Sequence, residues 1–177
     1  MSRSGAILLT CLLVAGCGAP HDAAEKRPTR DLETLVRNEI ASDEEDWSGD
    51  GLFGPVKLNI LKASVPGTAL TLIYPYGGRM CGSGGCSLFV VEQNDDGVRI
   101  IGRTAQVLLP VKRVAGGSSA HPDFSVFLRG YGELGTRVRL AYAAGRYPGN
   151  ASLPPAHRLP DDGDGLVLLD YPRATSQ

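Results

Sequence analysis

The sequence predicts a mainly β protein: an antiparallel sheet or β-sandwich-like domain with one short N-terminal α-helix. Three observations carry this reading. Apolar residues alternate with polar ones in short runs from about residue 56 to residue 169, clusters of turn-forming residues separate the runs, and a single segment near the start has helical spacing instead. That segment begins after Thr29, a candidate cap, and sets Leu32, Leu35, Val36 and Ile40 on one face of a helix that should lie on the domain. It ends in the acidic run Ser42 to Asp46, followed by Trp47 and the breakers Ser48-Gly49-Asp50-Gly51.

The strands follow in order. Val56, Leu58 and Ile60 alternate with Lys57 and Asn59, and Leu70, Leu72 and Tyr74 form a second half-buried run around Thr71. Ser87 to Glu92 and Val98 to Arg103 flank Asn94-Asp95-Asp96-Gly97, the turn chemistry of a hairpin. Val107, Leu109 and Val111 continue the period, and Phe124, Val126 and Leu128 mark another strand. After a turn over Gly132-Glu133-Leu134-Gly135, the core-facing set is Thr136, Val138, Leu140 and Tyr142, which leaves Arg137 and Arg139 on an opposite, wet face. The stretch from Pro148 to Pro160 lacks strand periodicity and reads as an ordered wrap over the sheet, and Leu166 to Leu169 is a last short strand after the acidic turn Asp161 to Gly165. Seven or eight strands are expected, with no internal repeat of fixed period.

The first seventeen residues carry one positive charge, then an apolar run from Ala6 to Ala15, then small residues ahead of Cys17. This is the pattern of an export signal, and the run is too short to span a bilayer, which takes roughly 20 apolar residues. Val14-Ala15-Gly16-Cys17 resembles the lipobox of bacterial lipoproteins. The resemblance implies cleavage before Cys17, acylation of that cysteine, and, with Gly18 next to it, an outer-membrane destination facing the periplasm. The expected organisation is a signal peptide over 1–16, a flexible tether over 17–29 and one β-rich domain over 30–177. Cleavage removes Arg3 and no acid, taking the formal charge from -1 to -2, so nucleic acid is not expected as a partner.

With Cys11 in the signal and Cys17 lipidated, Cys81 and Cys86 remain as a pair in an oxidising compartment, and a disulfide between them is expected. Closing so short a loop contributes ~2 kcal/mol on the chain-entropy model, a local brace. Cys81-Gly82-Ser83-Gly84-Gly85-Cys86 and the apolar strand after it resemble a family of poorly characterised proteobacterial envelope lipoproteins with a Cys-Gly-Ser/Thr-Gly-Gly-Cys loop. Val107 to Val111, Asp123-Phe124, and Tyr147 to Ala156 extend the resemblance over about residues 56 to 160. The chain departs from the family at Ala63 to Gly67, where many members carry an Asp-x-Asn-Gly-Asp-Gly loop, and at Ala120-His121-Pro122, where the family tends to have Gly-Trp-Arg.

The family resemblance carries no established activity, but some small periplasmic lipoproteins of similar β-rich build inhibit lysozyme-like peptidoglycan hydrolases. The resulting expectation is a non-catalytic binding module, an inhibitor or immunity protein, with an accessory factor in envelope assembly and an enzyme with a dispersed site as alternatives. Its binding residues would be Gly82, Ser83, Gly84 and Gly85 in a loop whose bridge limits the entropy lost on binding, with Tyr74, Tyr76, Arg79, Tyr147 and Asn150 as neighbouring anchors. No catalytic residue, metal or cofactor is expected. Ser83, Asp123 and His157 occur in a hydrolase-like order, but Cys81 stands where a nucleophile elbow needs glycine. Asp46, Ser48, Asp50 and Gly51 start like a calcium loop, but Lys57 stands at the closing ligand position. The histidines His21, His121 and His157 have no metal spacing.

Overall fold

The computed structural model describes residues 31–44, 59–77, 81–130, 135–160 and 164–172, with side chains of the helix as far as Ser42. Cys17, the tether, Thr29, Trp47, Val56, Leu58, Arg79, the tip Gly132 to Leu134 and Asp161 to Gly163 lie outside the described residues.

Helix α1 (Leu32–Glu44) is capped by Asp31, one residue before it. Asp31 Oδ1 accepts the amide of Glu33 at 3.1 Å and Oδ2 accepts the hydroxyl of Thr34 at 2.9 Å. The Thr34 hydroxyl first, and the Glu33 amide second, hold the Asp31 carboxyl below its ordinary value.

Among the described residues, nine strands form one antiparallel sheet: β1 (Asn59–Ser64), β2 (Leu70–Tyr76), β3 (Cys81–Gly82), β4 (Gly85–Asn94), β5 (Gly97–Gly117), β6 (Pro122–Leu128), β7 (Thr136–Leu140), β8 (His157–Arg158) and β9 (Leu166–Leu169). The order is β1-β2-β4-β5-β6-β7-β8, with β3 added to β4 and β9 added to β5. The hairpin read around Asn94 is present: Asn94 pairs with Gly97, and Asn94 Oδ1 accepts the amide of Asp96 at 3.1 Å.

The 21-residue strand β5 organises the sheet. Its first half pairs with β4, from Asn94↔Gly97 to Cys86↔Val107, and its second half pairs with β6 and β9. The sequence suggests two segments here, Val98 to Arg103 and Val107 to Val111. The backbone bends there without ending: Gln106 has φ 61°, and the registers with β4 and β6 shift on either side of it. The two halves of the sheet therefore face one core, in which Leu72, Leu88 and Val90 meet Val111, Phe124, Val126, Val138 and Leu140.

The first half is buried on its other face too. Ile73, Phe89 and Val91 point away from the main core and pack with Val36 and Ile40 of α1, with Leu32, Leu35, Ile60, Val98 and Ile100 around them. This is why Leu70 to Tyr74 and Leu88 to Val91 are nearly unbroken apolar runs, where a half-buried strand would alternate strictly. The helix thus covers an apolar sheet face, as its spacing implies.

Two local expectations change. Arg137 and Arg139 do face away from the core, yet Arg137 is only 6% exposed, with its guanidinium donating to Pro110 O at 2.9 Å and lying 5.9 Å from the Phe127 ring. Long cationic arms lie flat along the sheet and keep only their tips polar. In the Pro-rich wrap, the amides of Ala105 and Ala151 bond to Gly149 O and Ala105 O along the edge of β5, and the short strand β8 pairs with β7.

Phe89 is the largest fully buried side chain under α1. Phe89→Ala is expected to lower the unfolding free energy by about 3–5 kcal/mol, measured by denaturant titration.

Candidate functional site

Strands β3 and β4 form a hairpin pinched by the disulfide Cys81–Cys86, whose Cα atoms pair directly across the ladder 4.1 Å apart. Gly82 pairs with Gly85, so Ser83 and Gly84 make the turn. The hairpin is pressed against the bend in β5. Gly85 has φ +115°, and a Cβ there would stand 2.2 Å from Val107 O, so this position demands glycine. Gly84 lies against the side chain of Gln106. On the outer side, Gly82 and Ser83 are exposed, and a Cβ on Gly82 would meet nothing within 4 Å. The expected loop is therefore a two-residue turn with one clamped glycine and an open tip.

The anchors proposed from sequence separate. Tyr74 belongs to the core: it is 2% exposed and its hydroxyl donates to Val107 O at 2.9 Å. Burial, and then the nearby Tyr171, push that phenol up to about 12. Tyr147 is also a core residue, 1% exposed, with its hydroxyl donating to Pro122 O at 2.8 Å and its ring between Phe124 and Tyr142. Burial raises the Tyr147 phenol above its ordinary value, with Asp123 adding to the effect. Gly102 makes room for this ring, since a Cβ there would come within 2.8 Å of Tyr147 Cβ. Neither tyrosine offers surface to a partner, which corrects their reading as interface anchors. The strand alternation already placed Tyr74 with Leu70 and Leu72, and that signal outranks residue-type preference.

Asn150 shapes a turn: its Oδ1 accepts the amide of Ser152 at 2.8 Å and the Ser152 hydroxyl at 2.7 Å. Tyr76 remains half-buried at the rim of the main core. The hairpin tip, Tyr76 and Asn150 are thus the described members of the predicted set with surface to present. Ser83 lies in the hairpin turn, Asp123 faces Arg139 at 3.5 Å, and His157 contacts Pro155 O at 3.4 Å.

A second polar cluster was not foreseen. Glu92, 7% exposed, accepts Arg99 on one oxygen at 2.7 Å and contacts His121 Nε2 with the other at 2.8 Å. The His121 ring stacks on Tyr142, with centroids 4.0 Å apart and planes 6° apart. The Glu92–Arg99 pair follows from the Asn94 hairpin register and could have been found from it. His121 could not, because its place depends on how the β5–β6 turn folds back, with Ser118 Oγ accepting its amide at 2.9 Å.

No known family matches the chain, and no curated protein or solved structure matches it.

Burial works against the charged form of Glu92, but the bonds from Arg99 and His121 outweigh it and hold the carboxyl below its ordinary value. A folded value below the unfolded one gives stability that is complete above the ordinary glutamate range and is lost as pH falls through the lowered value. Unfolding free energy should therefore drop on acidification through that window. Glu92→Gln should be less stable at neutral pH by about 2 kcal/mol and should show a flatter acid limb, read by denaturant unfolding across pH.

Proposed function

We propose that this chain is the precursor of an envelope lipoprotein, acylated on Cys17 and held at the outer membrane facing the periplasm. Its folded domain acts as a non-catalytic binding module, an inhibitor or immunity protein for a peptidoglycan hydrolase. The observation that carries the reading is the Cys81–Cys86 hairpin, an open tip on a clamped base. A tip braced by a covalent bond and by contact with β5 loses little freedom on binding, and its small residues allow close backbone approach to a partner. The Val14-Ala15-Gly16-Cys17 sequence supports the anchoring, and the resemblance around the Cys-Gly-Ser-Gly-Gly-Cys segment supports the envelope setting. An accessory role in envelope assembly would use the same tip on a membrane protein.

Two measurements test this. Mass spectrometry of protein from the native envelope should find a mature chain beginning at an acylated Cys17 with Cys81 and Cys86 oxidised. Free thiols or an unmodified N-terminus would contradict it. The protein should also slow a peptidoglycan hydrolase at stoichiometric concentration, and Ser83→Arg should abolish that effect while leaving the unfolding curve unchanged. Inhibition that survives Ser83→Arg removes the hairpin from the account, and a protein that slows no hydrolase ends the inhibitor reading.

A further inference from the structure

The outer face of the second half of the sheet carries a row of polar side chains that the hairpin does not use. Cross-strand pairing sets Val167, Lys112, Ser125, Arg139 and His157 side by side over β9, β5, β6, β7 and β8. Directly paired residues share a face. That face is the one away from the core, because Phe124, Val126, Val138 and Leu140, the chain neighbours of Ser125 and Arg139, are all in the core. Ser125 thus sits with Lys112 on one side and Arg139 on the other.

The hydrogen bonding of this row is incomplete. Ser125 is fully buried and its Oγ has no partner, and Arg139 Nε, also buried, has none. A polar group taken from water and left unpaired costs stability, so two such groups on one cross-strand pair call for an explanation. Arg139 has a loose grip on its acidic neighbour: Nη1 is 3.5 Å from Asp123 Oδ2, well beyond the roughly 2.7–2.9 Å of a charge-assisted bond. The guanidinium edge formed by Nε and its adjacent Nη is the edge that grips oxyanions with two parallel bonds.

We propose that this row is an oxyanion-binding site, taking a phosphate or carboxylate group on the Nε edge of Arg139, with the Ser125 hydroxyl as a further donor. The Asp123 carboxylate borders the site and disfavours ligands of high charge density close to it. Because Nε and Oγ are both covered, entry of the ligand requires the Arg139 arm to shift. The site stands independently of the hairpin and of any partner bound there.

The test is a titration of the full chain with inorganic phosphate and, separately, with acetate, followed by calorimetry and by the shift in melting temperature. Saturable binding is expected with at least one of the two. Arg139→Gln should abolish it, and Ser125→Ala should weaken it by about tenfold, the weight of one charge-assisted hydrogen bond. Should Arg139→Gln fail to fold by circular dichroism, Arg139→Lys carries the test: it keeps the charge, loses the fork, and should also weaken binding by about tenfold. Vesicles separate the sources. An Arg139-dependent preference for phosphatidylglycerol over phosphatidylcholine assigns the site to a lipid headgroup, and phosphate binding without that preference assigns it to a free oxyanion. Absence of saturable binding to the wild type, or binding unchanged when Arg139 is replaced, overturns the proposal.

Discussion

The carbonyl of Val107 sits where the two halves of the sheet meet. Tyr74 on β2 donates its hydroxyl to this oxygen from within the core, and the backbone of Gly85 on β4 comes so close to it that no side chain could intervene. Just before it, Gln106 takes the left-handed conformation that bends β5. A strand that bends here can pair with β4 before the bend and with β6 and β9 after it, and so enclose one core between two halves of a single sheet. The disulfide hairpin inherits its rigidity from the same contact, because the base of its tip is pressed onto the bend.

Much of the fold was legible because the hydrophobic period is strict wherever one face is buried. The helix face through Val36 and Ile40, the Asn94 hairpin, and the strands at Phe124, Val138 and Leu166 all occupy their expected places. Less legible was whatever depends on contact between distant segments. Nothing local announces that β5 continues through Gln106, since separate runs on either side of a bulge look like two strands. The nearly unbroken apolar runs of β2 and β4 signal burial of both faces, but local pattern cannot say that the distant helix α1 supplies the second cover.

The candidate site divides in the same way. The Cys81–Cys86 pairing was readable from counting cysteines, and the open tip from its glycines. Tyr74 and Tyr147 were misread because an aromatic hydroxyl suits an interface and a core equally, and only the carbonyl each reaches decides between them. Glu92 and His121 are 29 residues apart and meet only because the β5–β6 turn folds back. On the outer face, alternation put Arg137 and Arg139 on the correct side of β7 but could not show that the first lies flat over the sheet and that the second leaves its Nε unpaired.

Functionally, the domain combines a stiff core with projecting backbone at one hairpin and a cationic row on the opposite sheet half, and both depend on β5 keeping its course. The most direct measurement compares Gly85→Ala with Gly82→Ala by denaturant unfolding. With φ +115° and Val107 O in the way at Gly85, and open space around Gly82, Gly85→Ala should lose about 1–3 kcal/mol from backbone strain alone while Gly82→Ala stays near the wild type. Equal stability of the two variants would contradict the central place given to the Gly85–Val107 contact.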